Sequence, residues 1–366
     1  MASEIGKLLK VSLFGQSHGA AIGMVMDGFP PGEKIDLDCL QVFMQRRAPG
    51  KNKLSTARKE ADRPEFLSGI IDGISCGAPL CAIIRNQDIR SQDYALLSDI
   101  PRPGHADYTA AIRYQGAQDF RGGGHFSGRL TAALCLAGGI CMQALQRRGI
   151  YIGAHIAAIS DIEDELFLER QDLDTGLLKQ ITDKDFPVLD EQAGARMQAA
   201  ILAAAAEQDS VGGCIECCVL NYPAGVGNPR FEGIDARLGQ AVFALPGVKG
   251  LEFGSGFAGS QKRGSDNNDA FCIRDGQVTC RSNNHGGILG GISSGMPIIF
   301  KVAFKPTASI AKEQQSVSLS KKEACSLQVE GRHDPCIVPR AVPVIEAISA
   351  IILLDMLMEA KAYINQ

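Results

Sequence analysis

The chain has 366 residues, enough to bury a large core in one domain or two. Lys and Arg number 37 against 41 Asp and Glu, a formal net charge of −4, so nothing draws the whole chain to nucleic acid and any anion site must be local. The 41 glycines show no period or low complexity, which assigns the excess to particular loops. The twelve cysteines fall mostly in apolar runs, where a free thiol acts as a small hydrophobe. The opening MASEIGKLLK lacks the apolar core of a signal peptide, and together these features predict a reducing, cytoplasmic setting.

In chain order, Leu9 to Phe14 reads as a strand and leads into Gly15-Gln-Ser-His-Gly19. Glycines there let backbone approach a ligand and His18 can exchange a proton, or the motif is a turn with a solvated histidine. Ile22 to Asp27 is a second strand. Arg46 to Arg63 is a basic loop carrying Arg46, Arg47, Lys51, Lys53, Arg58, Lys59 and Arg63. It is a solvated face or an RNA contact on its own, but a small polyanion suits the acidic balance and the absence of Trp better.

Arg102-Pro-Gly-His-Ala-Asp-Tyr108 and Arg121-Gly-Gly-Gly-His-Phe-Ser-Gly-Arg129 put Arg102, Arg113, Arg121 and Arg129 with His105 and His125 inside a short stretch. The triple glycine precedes a helix predicted over Gly128 to Arg147 with Ser127 as its cap, an arrangement suited to an anion. A flexible loop with solvated arginines is the alternative. His155, within the apolar Gly153 to Ile159, reads as structural. Ser160 to Glu191 is polar and rich in Asp, a surface excursion within one domain.

Asp190 to Gln208 reads as a helix and Cys214 to Leu220 as a strand. The CxxC at Cys214 and Cys217 has no second pair at zinc spacing, so core cysteines are expected and no metal. Asn283 to Gly295 holds five glycines, followed after the strand Ile298 to Phe304 by Lys305-Pro-Thr-Ala-Ser309. Backbone packed on a flat or phosphorylated ligand, with Lys305, Thr307 and Ser309 on a phosphate, is one reading; tight turns are the other. Gly331-Arg-His-Asp-Pro-Cys336 offers anion binding and proton transfer together, or a turn.

Pro343 to Ala362 is predicted helical, with Asp355 read as a polar position on the solvent side and a buried acid as the alternative. Leu130 to Leu145 and Val344 to Leu357 are apolar but too short to span a membrane. Strands outnumber long helices without regular alternation, which predicts an α+β class. Five of the six histidines lie in the glycine-rich loops. The residues alone point to a cytosolic enzyme for a phosphorylated, multiply anionic small molecule, a phosphate-bearing cofactor being a further option.

The order of GQSHG, RRAPG, RSQDY, RPGHADYT, FRGGG, the block from NNHGGILGGISSG to KPTAS, and GRHDPCIVPRAVPVIEA resembles the chorismate synthase family from residue 5 to about residue 360. The resemblance implies a β-α-β sandwich of helices between antiparallel sheets, one large domain over 1–366 and a homotetramer. It implies the 1,4-elimination of phosphate from 5-enolpyruvylshikimate-3-phosphate (EPSP) to give chorismate, with reduced FMN and no net redox change. It also implies no nucleic-acid or membrane partner, and reduced flavin from an external reductase or from NADP-dependent reduction by the chain itself.

Carried over by position, His18 protonates the departing phosphate, His105 manages the charge of the flavin, and Asp334 is the base acting through flavin N5. His125, Phe126, Ser127, Pro246, Gly247, Gly290, Lys305, Pro306, Thr307, Ala308, Ser309 and Arg332 match cofactor contacts. Arg47, Lys53, Arg102 and Arg129 match substrate contacts. Many relatives carry Arg-Ser-Ser where this chain has His125, Phe126 and Ser127, so flavin binding is expected to be weaker or more pH-dependent here. The rival readings are a flavin reductase, and a flavin- or RNA-binding module using the Arg46 to Arg63 loop.

Overall fold

The computed structural model describes residues 3–50, 54, 60–87, 97–170, 172–329 and 333–364. Among these, two five-stranded sheets enclose a layer of helices. The first sheet orders its strands Glu4–Ile5, Lys10–Gly15, Ala21–Asp27, Leu80–Arg85 and Glu65–Ser68. The second orders Val248–Phe253, Ile298–Phe304, Gly213–Leu220, Tyr151–Ile159 and Ile162–Glu163. Every pairing in both is antiparallel, so the expected α+β sandwich is the observed one.

The strand Ala21–Asp27 alternates weakly and is buried over most of its length, as a strand covered by helices must be. The helix Thr131–Gln146 is apolar almost all round and buries 13 of its 16 residues, which places it inside the sandwich. It packs along the terminal helix Val338–Ile364. Gly138 meets the backbone and Cβ of Ala347 there, and Gly139 meets Leu40 and Phe43 of the helix Leu37–Arg47. Side chains at either glycine would push these helices apart.

The terminal helix begins five residues before the expected Pro343, which sits inside it. Both apolar helices also exceed the apolar runs Leu130 to Leu145 and Val344 to Leu357: Gly128–Gln146 and Val338–Ala360 are long and apolar enough to cross a membrane. Burial, 83% and 94% of the respective windows, makes them core helices; shortness does not.

Asp355 corrects a second expectation. It is fully buried, accepting from the backbone N–H of Lys7 (2.8 Å), Leu8 (2.8 Å) and Leu9 (2.7 Å) and from Arg237. The start of the chain needs acceptors for those amides, and a carboxylate facing three N–H groups and a guanidinium is satisfied without water. Glu346 does similar work, gripping Arg46 with both oxygens at 2.5 and 2.9 Å and the Ala154 N–H at 3.0 Å.

His155 is buried between Asp164 (3.1 Å) and Glu216 (2.9 Å). Burial lowers its pKa, but the two carboxylates outweigh that and raise it. These carboxylates also accept backbone N–H groups of Phe167, Leu189 and Asp190. They thereby tie the segment 160–191 to the second sheet, where Phe167, Leu178 and Ile181 cover Cys218, Leu220 and Ile299. Cys217 and Cys218 are buried strand residues whose thiols burial pushes up.

Candidate active site

At one edge of the sandwich, loops from both sheets and the starts of two helices surround a cavity of about 290 Å³, near the lower end for small-molecule sites. Arg47, the last residue of its helix, comes from below; Arg129 and Ser127 come from the turn entering Thr131–Gln146. Arg102 and His105 come from the loop before a short helix, and Lys305 to Ser309 follow the strand Ile298–Phe304.

The cations are held by buried carboxylates. Arg47 donates to Thr131 Oγ1 (3.0 Å), the Gly128 carbonyl (2.9 Å) and Asp62 (3.2 Å). Arg129 donates to the other Asp62 oxygen and to Asn86 Oδ1 (3.0 Å), with Glu60 at 3.5 Å. Asp62 is fully buried as a side chain and adopts φ 46°, a left-handed conformation that a non-glycine residue keeps only when its surroundings impose it. Burial pushes its carboxyl up, but the Arg47 and Arg129 charges outweigh this and hold it below the usual range. The arginines are therefore fixed before any ligand arrives, which lowers the cost of binding an anion.

Arg102 is held in the same manner. Asp107 accepts from Arg102 Nε (2.7 Å), Nη2 (2.8 Å) and backbone N–H (3.0 Å), and lies 2.6 Å from His105 Nδ1. Burial acts to raise its pKa, yet hydrogen bonds from Arg102 and His105 drive it far below the usual carboxylate range. Arg102 Nη1 continues to Ser309 Oγ at 2.9 Å. Lys305 donates through Nζ to the Gly104 carbonyl and through its backbone N–H to the Gly247 carbonyl at 2.9 Å. Burial, aided by Lys249, lowers its pKa. Asp334 accepts from Arg340 at 2.5 Å, and Arg340 Nε donates to the Arg47 carbonyl at 3.1 Å.

The triple glycine is not the start of a regular helix. Gly122, Gly123 and Gly124 have φ of 59°, 83° and 54°, reachable by glycine at little cost. Gly122 lies against the His18 ring and Gly123 against the His105 ring. A short 3-10 turn, Gly128–Leu130, then leads into the helix, with Ser127 Oγ accepting from the Arg129 N–H at 3.2 Å.

The cavity thus gathers Arg47, Arg102, His105, Phe126, Ser127, Arg129, Pro246, Gly247, Lys305, Pro306, Thr307, Ala308, Ser309 and Asp334. His18 borders it through Gly122 and its neighbour Ser17. Two expected positions lie elsewhere. His125 turns outward, its ring nitrogens 3.0 Å from the Gly15 carbonyl and 3.2 Å from Ser3 Oγ. Gly290 sits in the turn joining Ile288–Leu289 to Ile292–Ser293, with open space beside it. Lys53 and Arg332 lie outside the described residues.

Glu60, Asp62, Asn86, Asp107 and Arg340 were not singled out from sequence. Asp107 had a usable signal, since a carboxylate two residues after a loop histidine is well placed to orient it.

The site thus brings three guanidiniums held by carboxylates together with side chains that can exchange protons. A family model described as Chorismate synthase matches residues 9–358. A chorismate synthase of Pyrococcus abyssi (strain GE5 / Orsay) is 45% identical over 359 residues, 98% of each chain. One of Korarchaeum cryptofilum (strain OPF8) is 42% identical over 355 residues, 97% of each. The solved "Crystal Structure of Chorismate Synthase" matches with a TM-score of 0.77 and 26% identity over 97% of this chain and 93% of that one. The chain belongs to the chorismate synthase family, carbon–oxygen lyases of the shikimate pathway.

Proposed function

We propose that the chain eliminates phosphate from EPSP in a 1,4 sense to give chorismate, with reduced FMN and no net redox change. The observation that carries this reading is the meeting of Arg47, Arg102 and Arg129 with His105 and Asp334 in one cavity. EPSP carries a phosphate and two carboxylates, and three guanidiniums held by carboxylates suit it. A chain spanned by one main core from the first sheet to the second is read as working as a single domain.

The residues fit a flat phosphorylated cofactor. Thr307 Oγ1 is buried without a hydrogen-bond partner among the described residues. It stands beside Lys305 and Ser309 on a loop that Arg102 and Ser210 hold in place. Lys305, Thr307 and Ser309 would hold the FMN phosphate, with Pro246, Gly247 and Phe126 against the ring. Reduced FMN, when bound, supplies electron density as the phosphate leaves.

His18, packed on Gly122, donates a proton to the departing phosphate oxygen. Asp334, 2.5 Å from Arg340, stands on the cavity wall and serves as the base. His105 sets the charge on the flavin side. Phe126 narrows the cavity where many relatives have a small hydroxyl, which favours weaker flavin binding. A cytoplasmic homotetramer supplied with reduced flavin by a separate reductase completes the reading.

Anaerobic incubation of the purified protein with EPSP and chemically reduced FMN tests it. Phosphate and chorismate should appear in equal amounts, with a lag or no reaction when the flavin is oxidised. No chorismate under reducing conditions would overturn the reading.

A further inference from the structure

We infer that Asp107 is the positioning residue for His105: it fixes the proton on Nδ1 and so makes Nε2 the nitrogen that works in the cavity. The inference deepens the proposed lyase reading and rests on it for the use made of Nε2. The geometry leaves little freedom. His105 Nδ1 has Asp107 Oδ1 at 2.6 Å on one side and Arg102 Nη2 at 3.1 Å on the other.

Arg102 can only donate. A bare Nδ1 would oppose its lone pair to the carboxylate at 2.6 Å, whereas an Nδ1–H donates to it along a short, charge-assisted bond. The Asp107 and Arg102 side chains are 7% and 3% exposed, so water does not compete. Nε2, at the far end of the ring, lies toward Gly123, where even a Cβ would come within 3.2 Å.

Asp107 and Arg102 meet the ring from its own segment, and Lys305 reaches that segment by donating to the Gly104 carbonyl. Gly123 contributes no charge. When Nε2 takes a proton from the bound ligand, the imidazolium charge is met by an ionised Asp107 that keeps its own state. When Nε2 returns the proton, the neutral Nδ1–H form is restored. Asp107 therefore never carries the transferred proton, and it is not among the residues that line the cavity.

Asp107→Asn separates this role from simple bracing. Oδ2 receives both the Nε and the backbone N–H of Arg102 while Oδ1 receives only Nη2, so the asparagine oxygen keeps the Oδ2 place at the cost of one Arg102 contact and its NH2 faces His105 Nδ1. That arrangement forces the opposite tautomer, with Nε2 protonated. Full-length protein carrying 15N-histidine is read by NMR without ligand between pH 6 and 9, with His105→Gln identifying the signals. The parent should show a protonated Nδ1 and a bare Nε2 in the neutral form, and Asp107→Asn the reverse.

In turnover with EPSP and reduced FMN, Asp107→Asn should lower kcat at least about 100-fold while KM changes less than about threefold. Asp107→Glu, which keeps the charge, should recover part of kcat. It also replaces Asp107→Asn as the probe should that variant lose its melting transition. A parent with Nε2 protonated, or an Asp107→Asn tautomer identical to the parent, overturns the inference. A parent with the expected tautomer and no turnover instead removes the lyase reading and leaves the positioning role standing.

Discussion

Two loops of this protein look alike in sequence and behave differently in the fold. Arg121 to Arg129 and Asn283 to Gly295 are both glycine-rich, contain a histidine and were both candidates for a ligand contact. In the first, Gly122 and Gly123 lie against the rings of His18 and His105. In the second, Gly286 and Gly287 meet backbone of Gly254 and Pro297, and Gly291 meets Asn228 and Gly233. His285 there is spent internally, its Nδ1 accepting the Gly287 N–H at 2.9 Å.

Glycine density reports that something comes close; it does not report whether the neighbour is a reactive side chain or another piece of main chain. What separates the loops is their carboxylates. Asp62, beneath the first loop, is fed by two guanidiniums; Asp269, beneath the second, accepts from Ser282 Oγ (2.6 Å) and the N–H groups of Asn284 and His285 (2.8 Å each).

The largest expected effect exploits that contrast. Asp62→Asn leaves Arg47 and Arg129 buried without a full counter-charge and should cost about 3–5 kcal/mol of stability, the range for breaking a buried ion pair. Urea unfolding measures it. A loss no larger than that of Asp269→Asn would mean that the two loops are held alike.

Gly122→Ala comes next. A methyl group there overlaps the His18 ring and demands a left-handed alanine, so the ring must move. Displacement of a proton donor by about 1 Å costs on the order of 100-fold in rate, and kcat should fall by that much with the melting transition still cooperative. Parent-like kcat would place His18 outside the chemistry.

Asp269→Asn should cost about 1–3 kcal/mol, since charge-assisted hydrogen bonds from neutral donors are weakened without stranding a cation. Its pH dependence gives a second test. Burial acts to raise the Asp269 pKa, but hydrogen bonds from Ser282, Asn284 and His285 outweigh it and lower it. A carboxyl depressed in the folded state adds stability above its unfolded pKa, ~4, and that contribution disappears as pH falls through the folded value. The stability gap between parent and Asp269→Asn should therefore be constant near neutrality and close below about pH 4. A gap that persists at pH 2 would mean that the carboxylate charge is not what holds the loop.

Much of this was legible because the pattern is local. The strands at Ile298–Phe304, Gly213–Leu220 and Ala21–Asp27 lie where alternation and bounding Gly, Pro or Asn put them, within a residue. The helix Glu191–Ala206 starts on Asp190, whose side chain accepts from Gln192 and Ala193 N–H groups.

The terminal helix was misjudged at its start. The sequence places its start at Pro343, yet the helix begins at Val338: Pro339 in the first turn gives up a donor that has no helical partner, and the helix tolerates Pro343. The buried carboxylates were harder still. Arg46 and Glu346 are 300 positions apart, and Leu9 and Asp355 are 346 apart. A partner at that distance leaves no spacing to read, so Asp355 looked like a solvent-facing residue of an apolar helix.

The smallest effect bears most directly on the comparison. Family resemblance matches Gly290 to a flavin contact, whereas the fold puts it at φ 63° in a two-strand turn where, among the described residues, nothing beyond its chain neighbours comes within 4 Å of an added Cβ. Gly290→Ala then meets only the conformational cost of a left-handed alanine, about 1 kcal/mol, with no steric conflict. Stability should drop by that amount, and reduced-FMN affinity and kcat should stay within about twofold, which is under 0.5 kcal/mol. A tenfold loss of flavin affinity at unchanged stability would bring the second loop into the site. The two loops would then share a function as well as a composition, and their separation in this fold would be a separation in distance alone.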